Sequence, residues 1–205
     1  MINRVFIPIV EGFGEVYAVP LLLRRILENN KNWNITIDKP INAHGITNIL
    51  KTNGLEKFLN LAARRNRCDA VVVIIDAEGN CAKEIATDLA QRARINFPYL
   101  PTAIVAAKHH YENWFLGSTE TIAGKRGLRD HLEIISNPES IPDPKRWLTE
   151  RMGIGRVYKE TSDQAPLSQA INIDFVRQRA RSYRRLENAI AQLIQSIASK
   201  KPIIT

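Results

Sequence analysis

Ala70-Val-Val-Val-Ile-Ile-Asp-Ala-Glu-Gly79 is the stretch that decides the fold. Its first six residues are apolar, five of them β-branched, and leave no polar face. That is the signature of a central strand covered on both sides, as in a parallel sheet. The strand runs straight into an acidic turn. Upstream, Val5-Phe-Ile-Pro-Ile-Val10 is a second apolar run that ends at Glu11-Gly12. Tyr17 and Leu21, then Leu22 and Ile26, recur at spacings of four, which predicts a helix to about residue 29 with Pro20 inside it. Residues 33–38 alternate like a strand, and Leu55, Leu59 and Ala62 mark a helix ending in Arg64-Arg-Asn-Arg67. Downstream, a helix over about 82–95 and a strand over 102–107 complete the pattern. Strand and helix in alternation predict an α/β fold, a mainly parallel sheet of about four strands flanked by helices.

Beyond Lys108 the pattern loosens. Residues 117–127 and 136–145 read as loops, the second carrying Pro138, Pro142 and Pro144. One long helix is predicted over about 174–198, with Leu186, Ile190, Leu193, Ile194 and Ile197 on one side. The organisation expected is an α/β core over 1–116 and a helical, basic C-terminal extension over 117–205, packed together as a single unit.

Of 205 residues, 44% are hydrophobic and 24% charged, the balance of an ordinary folded domain. Disordered, collagen-like and membrane classes are excluded, since the apolar runs fall far short of the roughly 20 residues a bilayer span needs. Cys68 and Cys81 allow at most one bridge, and no further Cys/His pair completes a zinc site. The N-terminus meets Glu11 and Glu15 where a secretory segment would be apolar, so a cytoplasmic location is expected. Gly12-Phe-Gly14 lacks the Gly-Lys-Ser/Thr of a phosphate-cradling loop, and no nucleophile elbow is present.

In parallel sheets ligands bind at the carboxyl ends of the strands. The first strand ends at Glu11, with Glu15 four residues on. The central one ends at Asp76 and Glu78, and the last is followed by His109-His-Tyr-Glu-Asn-Trp114. Carboxylates converging on one edge repel one another and raise each other's pKa unless a cation sits between them. Oxygen ligands of this kind suit Mg2+ or Mn2+, and such ions activate water and steady the leaving oxygen of a phosphodiester. Acidic residues after strands also cap helices, which is the competing reading, for Glu15 above all. His109 and His110 are candidates for a general base or a supporting partner, or for structural histidines.

The Val10-Glu11-Gly12 and Ile75-Asp76-Ala77-Glu78-Gly79 turns resemble those of the TOPRIM fold of topoisomerases, primases and overcoming-lysogenization-defect nucleases. Glu78 stands where the commoner pattern has Asp. The chain further resembles a family of small bacterial TOPRIM-like proteins of unknown function, often paired with an AAA- or ABC-type ATPase. That likeness extends over Tyr111-Glu112-Asn-Trp114, Tyr158-Lys159-Glu-Thr, Leu167, Ile173-Asp174 and Ser182-Tyr-Arg-Arg185-Leu. It implies metal-dependent nucleic-acid processing, in defence against phage or plasmids.

The net charge is +8, and +6 of it falls after residue 150, where ten Lys and Arg face four Asp and Glu. A basic surface favours polyanions. On one helix Arg177, Arg181 and Arg185 would share a face with Arg184 beside them, a ridge able to neutralise phosphates or simply a solvated face. Lys159 is a candidate for stabilising a reacting phosphate.

The sequence, with the resemblance, therefore predicts a Mg2+- or Mn2+-dependent nuclease acting on nucleic acid, DNA ahead of RNA, with no membrane and, as the resemblance implies, a partner ATPase. Glu11, Asp76 and Glu78 hold the metal, with Glu112 as a further ligand or base and Lys159 catalytic. Arg177, Arg181, Arg184 and Arg185 bind nucleic acid. The alternatives are a non-catalytic subunit that binds nucleic acid or regulates an ATPase, and a structural α/β partner. The apolar stripe of the last helix fits either a homodimer seam or internal packing.

Overall fold

The structure, a computed structural model, describes residues 3–199. Five parallel strands form one sheet: β1 (Arg4–Val10), β2 (Ile35–Ile37), β3 (Ile41–Asn42), β4 (Ala70–Asp76) and β5 (Thr102–Ala107). β4 lies between β1 and β5, and every residue of it is buried. β2 and β3 share the other edge of β1, pairing Arg4–Phe6 with Ile35–Ile37 and Ile9–Val10 with Ile41–Asn42. They are two halves of one edge strand. Pro40, between them, has no N–H to give to a ladder.

Side chains alternate across the sheet, so two cores form. Ile7, Ile9, Val71, Val73, Ile75, Ile104 and Ala106 face α2 (Ile46–Leu50), α3 (Gly54–Ala63) and α4 (Ala82–Asn96). Phe6, Val10, Val72, Ile74, Ala103 and Val105 face α1 (Phe13–Asn29) and the C-terminal helices. Those are α5 (Asn113–Leu116), α6 (Thr119–Ile122), α7 (Pro144–Glu150), α8 (Ala165–Ala170), α9 (Ile173–Arg179) and α10 (Arg181–Ser199). A 3-10 turn (Pro138–Ser140) and a π turn (Glu160–Gln164) are interspersed among them.

The C-terminal half is fastened to the sheet by buried aromatic and polar contacts. The rings of Tyr111 and Trp114 lie 4.9 Å apart, and Trp114 meets Tyr183 edge-on at 5.7 Å. Trp114 Nε1 donates to Ser182 Oγ at 2.8 Å, and Tyr111 Oη pairs with Ser168 Oγ at 2.9 Å. Leu186, Ile190 and Leu193 of α10 are buried within the chain, so this stripe is internal packing.

The single helix expected over 174–198 is broken at Ala180, which is buried and extended at φ −110° and ψ 117°. One contact from outside the segment and one across the break accompany it. Glu139 Oε1 accepts the Ser182 N–H at 2.6 Å, and Arg177 of α9 folds across to Glu187 of α10 at 2.7 Å. The stretches read as loops also hold α6, the 3-10 turn and the start of α7. Cys68 and Cys81 are free thiols, and no helix among the described residues is long and apolar enough to cross a membrane.

Candidate metal centre

Four carboxylates from three separate segments meet at the carboxyl edge of the sheet. Glu11, just past β1, lies between neighbours on both sides. Its carbonyl accepts the Gly45 N–H after β3 at 2.9 Å, and its Oε1 accepts the Asp76 N–H at 2.5 Å. Asp76 ends β4 and is held by the segment after β5: Oδ1 accepts the Tyr111 N–H at 2.8 Å, and Oδ2 lies 3.0 Å from His110 Nδ1. Glu112, fully buried, accepts at Oε1 from Tyr158 Oη at 2.9 Å and from Gln164 Nε2 at 3.1 Å. Its Oε2 is buried with no partner. Ligating atoms of Asp76, His110 and Glu112 all lie within 4.8 Å of one another.

The capping reading fits one of these residues. Glu15 Oε2 accepts the N–H groups of Glu11 and Gly12, both at 2.8 Å, which satisfies the start of α1 from its third residue. The others cap nothing. The N-cap of α4 is Cys81, away from Asp76, and although Glu112 occupies the N-cap position of α5, its side chain makes no capping bond. Their placement needs another reason.

Electrostatics gives one. Burial, reinforced by Glu112 and Glu11, raises Asp76 well above the usual carboxylate range. Burial likewise lifts Glu11 to about 7, against the Asp76 N–H bond and with Glu15 and Glu78 adding to the rise. Burial and the neighbouring Asp76 push Glu15 to about 8. Glu112 is raised by burial despite Lys145 and the Tyr158 hydroxyl. A site that holds several carboxyl groups against their charge is one that a cation would relieve. Its donors are mostly oxygens, with one imidazole, a set that suits Mg2+ or Mn2+. The orphaned Glu112 Oε2 is a ligand atom without a bond.

The structure also brings in groups absent from the sequence-predicted set. Lys145, half-buried at the start of α7, pairs with Glu160 at 2.5 Å. Burial opposes its charge, yet Glu112, Glu160 and Asp76 hold its pKa above the ordinary lysine value. Tyr158 and Gln164 orient Glu112. Gly14 lets α1 approach the π turn, because a Cβ there would lie 2.8 Å from the Glu160 carbonyl oxygen. His110, read from the sequence as a general base, a supporting partner or a structural residue, sits directly on Asp76. No local signal marks Lys145 or Gln164; their neighbourhood arises only when the tail closes over the sheet.

The remaining predicted residues stand apart from this cluster. Glu78 is exposed on a tight turn in left-handed conformation, φ +45°, followed by Gly79 at φ +87°. It lies near enough to raise Glu11. The Lys159 side chain is exposed, and its N–H is held by Asp163 Oδ2 at 3.0 Å. Arg177 is bound to Asp174 and Glu187, and with the helix broken at Ala180 it does not share one helical face with Arg181 and Arg185. Arg181, Arg184 and Arg185 are exposed on the first turns of α10, where Arg184 donates to the Arg177 carbonyl at 2.7 Å. Lys200 and Lys201, counted in the basic tail, lie outside the described residues.

Fold and site together define an α/β protein with an acidic cluster at the carboxyl edge of a parallel sheet. The chain belongs to the family described as Domain of unknown function (DUF4276), which matches residues 10–191. Among curated proteins nothing matches it. Among solved structures it is similar to the C-terminal region of the Burkholderia pseudomallei OLD protein, at 15% identity and a TM-score of 0.43, over 96% of this chain and 100% of that one.

Proposed function

We propose that this chain is a metal-dependent, TOPRIM-type nuclease that cleaves nucleic-acid phosphodiesters. The observation that carries the reading is the Asp76–His110–Glu112 group, its two carboxylates buried and its imidazole half-buried, held by directed hydrogen bonds and left with an unpaired carboxylate oxygen. Asp76, Glu112 and Glu11 would supply ligands to Mg2+ or Mn2+; Glu78, exposed on the turn beyond Asp76, is the further ligand that the sequence reading assigns. When bound, such an ion activates water and neutralises charge on the reacting phosphate. The chain's own residues do the rest. His110 and the Tyr111 N–H fix Asp76, Tyr158 and Gln164 fix Glu112, and Glu11 ties β1 to β4 beneath them.

Lys159 and the exposed Arg181, Arg184 and Arg185 engage phosphates, with Arg177 in support through its ion pairs. A partner ATPase of the AAA or ABC type and a role in defence against mobile DNA belong to the same proposal, supported by the sequence resemblance. The test is cleavage of plasmid and single-stranded substrates with Mg2+ or Mn2+. Wild type should cut and Asp76→Ala should not; equal activity in the variant refutes the assignment.

One observation favours a second reading, a non-catalytic subunit. Lys145 already places a cation beside the carboxylates. A chain that has replaced the ion in this way would keep the fold and regulate or bind without cutting. The readings separate on thermal melting: a site that takes an ion is stabilised by Mg2+, and one neutralised by Lys145 is not.

A further inference from the structure

We infer that the first two turns of α1 form a base-stacking platform and that the substrate this site takes is single-stranded nucleic acid. The inference rests on the nucleic-acid reading above and adds the strand class. Phe13 and Tyr17 are 64% and 66% exposed, unlike the apolar residues around them. Four residues apart on one helix, they lie on the same face, with Cβ atoms about 5–6 Å apart. Phe13 follows Glu11-Gly12 directly, so the pair begins at the metal centre and leads away from it. Its ring is braced edge-on by His44, with centroids 5.4 Å apart.

Tyr17 borders an open cleft of about 790 Å³ lined also by Pro20, Leu21, Arg24 and Lys39. The cleft thus has an apolar floor, with Arg24 and Lys39 on its walls beside Asp38, whose charge is taken up by Arg65 at 2.9 Å. Flat rings flanked by cations match a strand whose unpaired bases stack while its phosphates meet Arg24 and Lys39. Duplex bases are already stacked on one another and present no free face to such rings. The other strongly exposed aromatics, Trp33 and Tyr99, precede β2 and β5 at the opposite, amino edge of the sheet, away from the carboxylates. They serve as controls.

The test is fluorescence anisotropy with a labelled oligo-dT 12-mer and a duplex of equal length, in EDTA at low salt. Wild type should bind the single strand at least tenfold more tightly than the duplex. Phe13→Ala and Tyr17→Ala should each weaken single-strand binding at least about fivefold. Phe13→Tyr should restore it, and Trp33→Ala and Tyr99→Ala should leave it unchanged. Binding within twofold of wild type in both alanine variants overturns the proposal, as does an equal or higher affinity for duplex or no binding by wild type. The assay contains no metal, so it reads independently of the metal centre. Metal-dependent cutting with unaltered binding in the alanine variants sinks the platform alone, whereas loss of ring-dependent binding from no variant but absence of any cutting sinks both.

Discussion

Glu11→Gln should make the metal-free protein more stable while abolishing part of its response to Mg2+. Glu11 is raised from an ordinary 4.5 to about 7, chiefly by burial. A carboxyl whose folded-state pKa lies above its unfolded value binds more protons when folded, so stability is full below pH 4.5 and falls as pH rises to about 7. Keeping Glu11 ionised above that costs about 3 kcal/mol. The glutamine has no charge to keep and retains an oxygen to accept the Asp76 N–H. At pH 8 in EDTA the variant should therefore melt up to roughly 6–12 °C above wild type, and the gap should close at pH 4. With Mg2+ at ten times its Kd, wild type should gain about 1.4 kcal/mol, or roughly 3–6 °C, and the variant less. Melting followed by circular dichroism at both pH values, with EDTA or Mg2+, reads all four numbers. A variant less stable than wild type at pH 8 without metal, or one with the full Mg2+ shift, refutes the reasoning.

Lys145→Gln should lower the metal-free melting temperature and enlarge the Mg2+ shift, since the carboxylates lose their built-in cation; an unchanged Mg2+ shift would show that Lys145 and the ion do not share them. Gly14→Ala should destabilise by about 1–3 kcal/mol, because its Cβ crowds the Glu160 carbonyl, while Gly12→Ala, at φ −129° and with only Glu15 Oε2 at 3.9 Å from the added Cβ, should stay within about 0.5 kcal/mol in urea unfolding. Glu56→Gln should cost about 1 kcal/mol at pH 7. The Arg92 pair depresses the Glu56 pKa, so this contribution is present above pH 4.5 and disappears as pH falls below it in the same assay.

The sheet was legible because β1, β4 and β5 are short, nearly unbroken apolar runs, a pattern few alternatives share. β3 was not, since two residues after Pro40 carry no period. The acidic turns at Glu11 and Asp76 could be placed on one edge from topology alone, and Glu112 followed from its distance past β5. Whether each was a cap or a site residue could not, because that depends on which N–H groups the oxygens meet: Glu15 meets those of its own helix, Asp76 meets Tyr111 thirty-five residues on. The break at Ala180 is invisible locally for the same reason: the Glu139 carboxylate that meets the Ser182 N–H comes from across the fold. Lys145 lay hidden in a proline-rich stretch whose path only the packed tail defines.

Anomalous diffraction from crystals soaked in Mn2+ addresses the central claim most directly. A peak between Asp76 and Glu112, with carboxylate oxygens at roughly 2.1 Å, is the expected result. A site in which Lys145 Nζ fills that space and no peak appears would contradict it.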